Sequence, residues 1–299
     1  MALAPGRADA RSGVALGVVA AVAANTIWGL NPLYFDLLAH IPAPELLAHR
    51  IFWGAVFAVL FCAATGRIAG LKRTLGDRRA VSWLAVTAAV VSINWLVYLY
   101  AIQSGRVTEA GFGFYLMPLV AVVFGVLLLG ERLSRLQWLA VGLAGAAVAV
   151  LAVDRGGIPE VSLAMAICFS TYGLLRKRME TGAITGFAVE ALLLSPFAVL
   201  GLVVIHSDGG AFGGTAHDTA LLVLSGPVTG LPLILFAESA RRLAYSTVGV
   251  LQYMNPTLQI ACAILILGEP VSGALITALG LIWIGLALYS FTMLRPLPT

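Results

Sequence analysis

The sequence predicts an all-α integral membrane protein of ten transmembrane helices, built as an inverted repeat of two five-helix halves with both termini in the cytoplasm. Three observations carry this prediction. Of 299 residues, 60% are hydrophobic and 11% charged, and the mean hydropathy is +0.97, well outside soluble globular composition. Apolar stretches of roughly 20 residues, the length that a ~30 Å hydrocarbon core demands, recur from end to end. A short sequence pattern also occurs twice, 138 residues apart.

The spans read as 14–36, 45–65, 81–103, 108–130, 134–153, 159–176, 185–206, 219–240, 246–268 and 273–293. Before the first, Arg7 and Arg11 together with Ala21-Val22-Ala23 imitate a signal peptide. The apolar character continues through Trp28, Leu33 and Phe35, however, which suits a spanning helix better. Only the connections 66–80 and 207–218 exceed a tight turn, which leaves no room for a soluble domain.

Charge placement sets the topology. Of eighteen Lys and Arg, fifteen fall on the termini and on alternate connections. Arg7 and Arg11 precede the first span, and Arg67, Lys72, Arg73, Arg78 and Arg79 follow the second. Arg132 and Arg135 follow the fourth, Arg176 to Arg178 the sixth, Arg241 and Arg242 the eighth, and Arg295 the tenth. The opposite connections hold only Arg106 and Arg155, and Arg50 lies inside a span. This is the positive-inside pattern for ten spans with cytoplasmic termini. The pI of 9.1 is then an insertion signal with some attraction to anionic lipid, and nucleic acid is not an expected partner.

Gly111, Tyr115, Pro118, Gly130 and Glu131 recur as Gly249, Tyr253, Pro256, Gly268 and Glu269, and seven of 21 aligned positions are identical. Trp28-Gly29 is echoed weakly by Tyr172-Gly173. The copies sit in the fourth and ninth spans, so the halves are 1–153 and 154–299 with five spans each. An odd number per half makes the second copy enter the membrane from the other side. Inverted duplication in a membrane chain points to a secondary transporter, with its substrate site near the bilayer midplane.

Pro118 and Pro256 lie about ten residues into their spans and are expected to act as kinks or hinges near that midplane, freeing the carbonyls of Phe114 and Gln252. Gly111, Tyr115 and Pro118 share a helical face, as do Gly249, Tyr253 and Pro256. Both faces are expected to look across a central cavity, although helix kinking and packing alone are the alternative.

At this level the residues resemble the EamA domains of the drug/metabolite transporter superfamily. Within that group several stretches look like the RarD type of permease, named for chloramphenicol sensitivity. They are Glu45 to Arg50 with Phe52-Trp53, Asn94-Trp95 with Tyr98, Gly130 to Arg132, Tyr172 to Arg176, Gly226 to Thr229, and Leu251 to Tyr253 with Pro256. The similarity covers essentially the whole chain. It implies an inner-membrane permease, an exporter of small metabolites, amino-acid-like compounds or drugs. In one departure, Pro270 follows Glu269 where Arg132 follows Glu131.

An ionisable side chain deep in a span costs roughly 2.5–3.5 kcal/mol on insertion scales and is a functional candidate by default. Arg50, with Asp36 or Glu109 as expected partners, is either a packing ion pair or an anchor for an anionic substrate group. Glu190 is a candidate for a coupling proton, or a partner for Arg176, Lys177 or Arg178. Glu238 is expected to pair with Arg241 or Arg242, and Glu131 and Glu269 to lock helix ends. Uncharged groups complete the lining set. The substrate-binding candidates are Trp28, Asn31, Arg50, Asn94, Trp95, Tyr98, Tyr115, Gln252, Tyr253 and Asn255, with Asn25, Gln103 and Gln259 as further polar groups in the spans.

Other function classes find less support. No GxxxxGK[ST], GxSxG or HExxH occurs, and His40, His49, His206 and His217 cluster in no ligand-like pattern. A metal centre and a bound cofactor are therefore not expected, and the alternatives to a transporter are a non-transporting receptor or assembly factor, or an intramembrane enzyme. Cys62, Cys168 and Cys262 show no metal or redox spacing. Gly13/Gly17 and Gly226/Gly230 have the GxxxG spacing of close-packing helices and mark surfaces for a homodimer. The expected partners are thus the lipid bilayer, a small-molecule substrate and a second copy of the chain.

Overall fold

The computed structural model describes residues 7–207, 209–266, 268 and 272–294. The described elements are all helices: α1 (Arg7–Asp36), α2 (Ala43–Ala64), α3 (Ile68–Gly76), α4 (Arg78–Gln103), α5 (Val107–Leu129), α6 (Arg135–Arg155), α7 (Glu160–Arg178), α8 (Ala183–Ser207), α9 (Ala216–Arg242), α10 (Tyr245–Leu251), α11 (Met254–Leu265) and α12 (Gly273–Leu294).

Among the described residues, nine segments are long and apolar enough to cross a membrane by length and composition, with α10 and α11 counted together as one. The exception is the expected sixth span, α7. Its 19 residues carry Glu160 in the first turn and Arg176, Lys177 and Arg178 in the last. Its charges sit at its ends and one face packs inward, with Val161, Met165, Ala166, Tyr172 and even Arg176 buried, while Leu163 and Ile167 stand exposed on the other. The outer surface shows the opposite character. Leu60, Leu96, Phe197, Leu200 and Val203 stand exposed there, as side chains solvated by lipid do.

The helices pack across the chain rather than along it. α1 lies against α9 and α11, α2 against α8 and α9, α4 against α7 and α8, α5 against α7 and α10, and α6 against α12. The short α3, one face of which buries Leu71, rests on α8. Local sequence fixes the ends. Ser134 and Gln137 form a reciprocal capping box at the start of α6, satisfying two donors that a helix N-terminus otherwise leaves orphaned. Gly130 closes α5 at φ 68°, and its repeat partner Gly268 adopts φ 70°, a left-handed conformation that glycine enters without a Cβ penalty.

The two repeat prolines behave differently. α5 continues through Pro118, whereas the ninth expected span is interrupted at Gln252 and Tyr253, which keep helical φ/ψ in a tighter turn between α10 and α11. Gln252 and Tyr253 donate tight i→i−3 bonds to the carbonyls of Gly249 and Val250, at 3.1 and 3.2 Å. The Gln252 carbonyl that Pro256 cannot bond is taken instead by the Asn255 amide at 3.0 Å. Pro256 thus sits in the first turn of α11, where its missing N–H leaves nothing unsatisfied.

The GxxxG glycines are used within the chain. Gly17 packs on Arg242 and Leu243, Gly226 on the Trp53 backbone, and Gly230 on Phe57 and Phe187. The three cysteines are unpaired, Cys62 and Cys262 among them buried.

Candidate functional site

Where α1 and α4 end and α2, α5 and α7 begin, the bundle holds a partly open cavity of about 260 Å³. Trp28, Asn31, Pro32 and Phe35 line it from α1, Arg50 from α2, and Asn94, Trp95 and Tyr98 from α4. Phe114 and Met117 contribute from α5, Met165 and Phe169 from α7, and Thr229 and Leu233 from the middle of α9. Gln252, Asn255 and Gln259 enter from the α10–α11 break and the turns beyond it. An apolar, aromatic wall with a few convergent polar groups is the usual build of a small-molecule pocket, and this volume is at the small end.

Eight of the ten sequence-derived binding candidates meet here: Trp28, Asn31, Arg50, Asn94, Trp95, Tyr98, Gln252 and Asn255. Helical spacing explains why residues 28, 31 and 35 come together on one face of α1. Asn94 donates Nδ2 to the Met165 carbonyl at 3.0 Å, tying α4 to α7. Gln259 donates Nε2 to Asn255 Oδ1 at 2.7 Å, which fixes both amides on α11.

Tyr115 and Tyr253 do not line the cavity. Both are buried, with 6% and 2% of their surface exposed, in one apolar cluster with Phe112, Met165 and Ile282. The Tyr253 hydroxyl donates to the Tyr115 carbonyl at 3.3 Å. A Cβ at Gly249 would lie 2.7 Å from the Pro118 carbonyl oxygen, so the helices touch backbone to backbone there. The repeated Gly-Tyr-Pro faces therefore meet each other as a seam between α5 and α10–α11, instead of facing each other across open space.

Arg50 also departs from expectation. Glu109 is held by Arg106 through two bonds of 2.8 and 2.7 Å, and Asp36 is exposed at the end of α1. Among the described residues no carboxylate forms an ion pair with Arg50. Instead its Nε donates to Thr229 Oγ1 at 3.0 Å, and its guanidinium carbon lies 5.1 Å from the Phe35 ring centre and 5.8 Å from that of Trp95. Desolvated cation–π contacts of this kind contribute up to about 2 kcal/mol. They hold the charge without neutralising it.

Behind this wall sits a second, smaller void of about 20 Å³, shared by Arg50, Trp95, Thr229, Tyr172 and Glu190. Glu190 is 3% exposed, and its carboxylate lies 3.7 Å from Arg176 Nη1. It accepts bonds from Thr87 Oγ1 at 2.6 Å and Tyr172 Oη at 3.2 Å. Arg176 Nη2 also donates to the Ala183 carbonyl at 3.2 Å. Of the partners expected for Glu190, the structure selects Arg176.

Below the cavity the bundle is shut. Trp28, Phe169, Phe236 and Tyr172 stack with ring centres 5.0–6.4 Å apart, and the Tyr245 hydroxyl donates to the Ser170 carbonyl at 2.6 Å. Beyond them, Glu131 accepts the amides of Tyr245 and Ser246 at 2.5 and 2.8 Å, capping α10. Lys177 Nζ donates to the carbonyls of Ala240 and Leu243 at 3.0 and 2.5 Å, and Arg178 Nη2 to that of Leu128 at 2.6 Å. Glu238 pairs with Arg242 at 2.5 Å. Glu269 lies outside the described residues.

Sequence reasoning missed Phe35, Phe169 and Phe236. Phe35 was accessible by its spacing from Trp28 and Asn31; the other two carry no signal beyond being apolar. Thr229 stood in a stretch noted only for its family likeness.

The EamA-like transporter family model matches residues 15–153. An uncharacterised transporter of Pseudomonas aeruginosa is 40% identical over 294 residues, which cover 97% of each chain. Protein RarD of Escherichia coli is 36% identical over 91% of this chain and 93% of its own. The chloramphenicol-sensitive protein RarD of Pseudomonas aeruginosa is 30% identical over 93% of this chain and 95% of its own. One solved crystal structure superposes with a TM-score of 0.71 at 21% identity, covering 93% of this chain and 99% of that one, a likeness of fold alone. Full-length similarity at these levels, together with the cavity in a multi-pass apolar bundle, means that the chain belongs to the EamA-like transporter family and to its RarD-type members.

Proposed function

We propose that this protein is a secondary transporter that exports a small organic molecule across the inner membrane by alternating access between two inverted halves. The observation that carries the reading is the packing pattern. Let α1, α2, α4, α5 and α6 correspond to α7, α8, α9, α10–α11 and α12. The contact of α1 with α9 then becomes that of α7 with α4, α1 with α11 becomes α7 with α5, and α2 with α9 becomes α8 with α4. The pairs α2–α8, α5–α10 and α6–α12 map onto themselves. This is the exchange expected of a two-fold axis lying in the membrane plane. The matching left-handed Gly130 and Gly268 support it.

On this reading residues 1–153 and 154–299 are the halves, the positive-inside pattern puts both termini in the cytoplasm, and the sealed end with Glu131, Lys177 and Arg178 is cytoplasmic. The conformation is then closed inward, with cargo held by Trp28, Asn31, Arg50, Asn94, Trp95, Tyr98, Gln252 and Asn255. The α10–α11 break preceding Pro256 is the hinge candidate, since discontinuous helices at mid-depth mark transporter sites. Glu190 is the candidate for proton coupling. It needs no cofactor, because a proton gradient supplies the energy.

The test is uptake from a metabolite mixture by proteoliposomes under an imposed proton gradient, read by mass spectrometry. A compound should accumulate above empty vesicles, Asn255→Ala should slow it at least about tenfold, and Glu190→Gln should abolish accumulation while sparing exchange. Absence of any accumulating or exchanging compound sinks the transport reading.

A further inference from the structure

We propose, resting on the transport reading, that the cargo is an organic anion: a carboxylate carried on a flat apolar body, with the carboxylate bound by Arg50. Among the described residues that line the cavity, Arg50 is the one charged side chain and none is Asp or Glu. Glu190, which shares the smaller void with Arg50, is committed to Arg176, Thr87 and Tyr172. That pair sums to zero, so the cavity carries one uncompensated positive charge at depth. An unneutralised charge in a desolvated site is costly, and an incoming anion relieves that cost. The bond from Nε to Thr229 Oγ1 at 3.0 Å fixes the plane of the guanidinium without using its two terminal nitrogens. These are the nitrogens with which the fork grips a carboxylate in bidentate fashion.

The surroundings specify the rest of the guest. Phe35 and Trp95 flank the guanidinium, and Trp28 and Phe169 wall the space beyond it. Flat aromatic walls accept a flat apolar body. A volume of about 260 Å³ and a single cation match one carboxylate better than a phosphate dianion, which would leave a charge unpaired. A cationic guest would meet Arg50 with no acid to offset the repulsion.

The experiment uses the purified full-length protein and three probes that share one phenyl body: 3-phenylpropanoate, 3-phenylpropanamide and 3-phenylpropylamine. Affinity is read by calorimetry in detergent. In the wild type the carboxylate should bind about tenfold to a hundredfold more tightly than the amide, the range that one charge-assisted bidentate contact supplies, and the amine should bind most weakly. Arg50→Gln should bring carboxylate and amide within about twofold of each other without weakening the amide. Arg50→Lys, which keeps the charge but not the fork, should retain part of the preference. Equal binding of the three probes by the wild type, no binding of the carboxylate, or a preference that survives in Arg50→Gln each overturns the assignment. The wild-type series and Arg50→Lys decide the matter even if Arg50→Gln does not fold. Flux of the same probes into proteoliposomes separates the two readings. Binding of the carboxylate without flux of any probe overturns transport and leaves the anion site. Flux of all three without charge preference does the reverse.

Discussion

Removing the Glu131 carboxylate should measurably loosen the sealed end of the bundle. Glu131 follows the helix-ending Gly130 and accepts the first two amides of α10, from Tyr245 and Ser246, at 2.5 and 2.8 Å. Hydrogen bonds to a charged group contribute about 1.5–3 kcal/mol each, and the field of the helix N-terminus overlaps with them rather than adding fully. The side chain is half-buried, so water recovers part of what is lost. Glu131→Ala should therefore destabilise by about 2–4 kcal/mol, and Glu131→Gln, which keeps one carbonyl acceptor, by about 1–2 kcal/mol. The measurement is equilibrium unfolding in mixed micelles followed by tryptophan emission. Glu238→Ala is the control, because its pair with Arg242 is an exposed i,i+4 contact of about 0.3–0.5 kcal/mol. If Glu131→Ala is no worse than Glu238→Ala, the capping argument is wrong.

Two further substitutions probe the interior. Arg176→Met should destabilise by about 3–5 kcal/mol by leaving the buried Glu190 unmatched, whereas Arg176→Met with Glu190→Leu should recover most of that loss, as measured in the same unfolding assay. Tyr115→Phe should be neutral or slightly stabilising, since its buried hydroxyl has no partner, whereas Tyr253→Phe should cost about 0.5–1.5 kcal/mol through loss of its bond to the Tyr115 carbonyl.

The legible parts of this protein were those set by covalent chemistry or by period. Span lengths follow from hydropathy; proline's missing N–H permits the interruption near Gln252 but does not dictate it, since α5 continues through Pro118. Asn31, Asn94 and Gln252 were readable as cavity residues because an amide in lipid-depth helix needs a polar neighbour. Partner choice was not readable. Tyr115 and Tyr253 share a face with their glycine and proline, but spacing does not say what that face meets, and it meets its own repeat. Arg50 was given a carboxylate because isolated charges are expensive, yet two aromatic rings and a threonine hydroxyl hold it instead. α7 fails the simple apolar measure because Glu160 and Arg176 to Arg178 crowd its ends, while the burial of its inner face is something no local window records.

The cross-chain packing has a consequence for biosynthesis. Apart from the contact of α7 with α9, the principal helix contacts join a segment before residue 156 to one after residue 159. The early helices therefore leave the ribosome without their principal neighbours and wait in the bilayer with Arg50, Asn94 and the small-residue faces unmatched. Assembly is therefore expected to be late, beginning as α7, α8 and α9 arrive. A chain truncated after α6 should thus yield inserted helices but no bundle, and two separately expressed fragments should regain the fold only when made together.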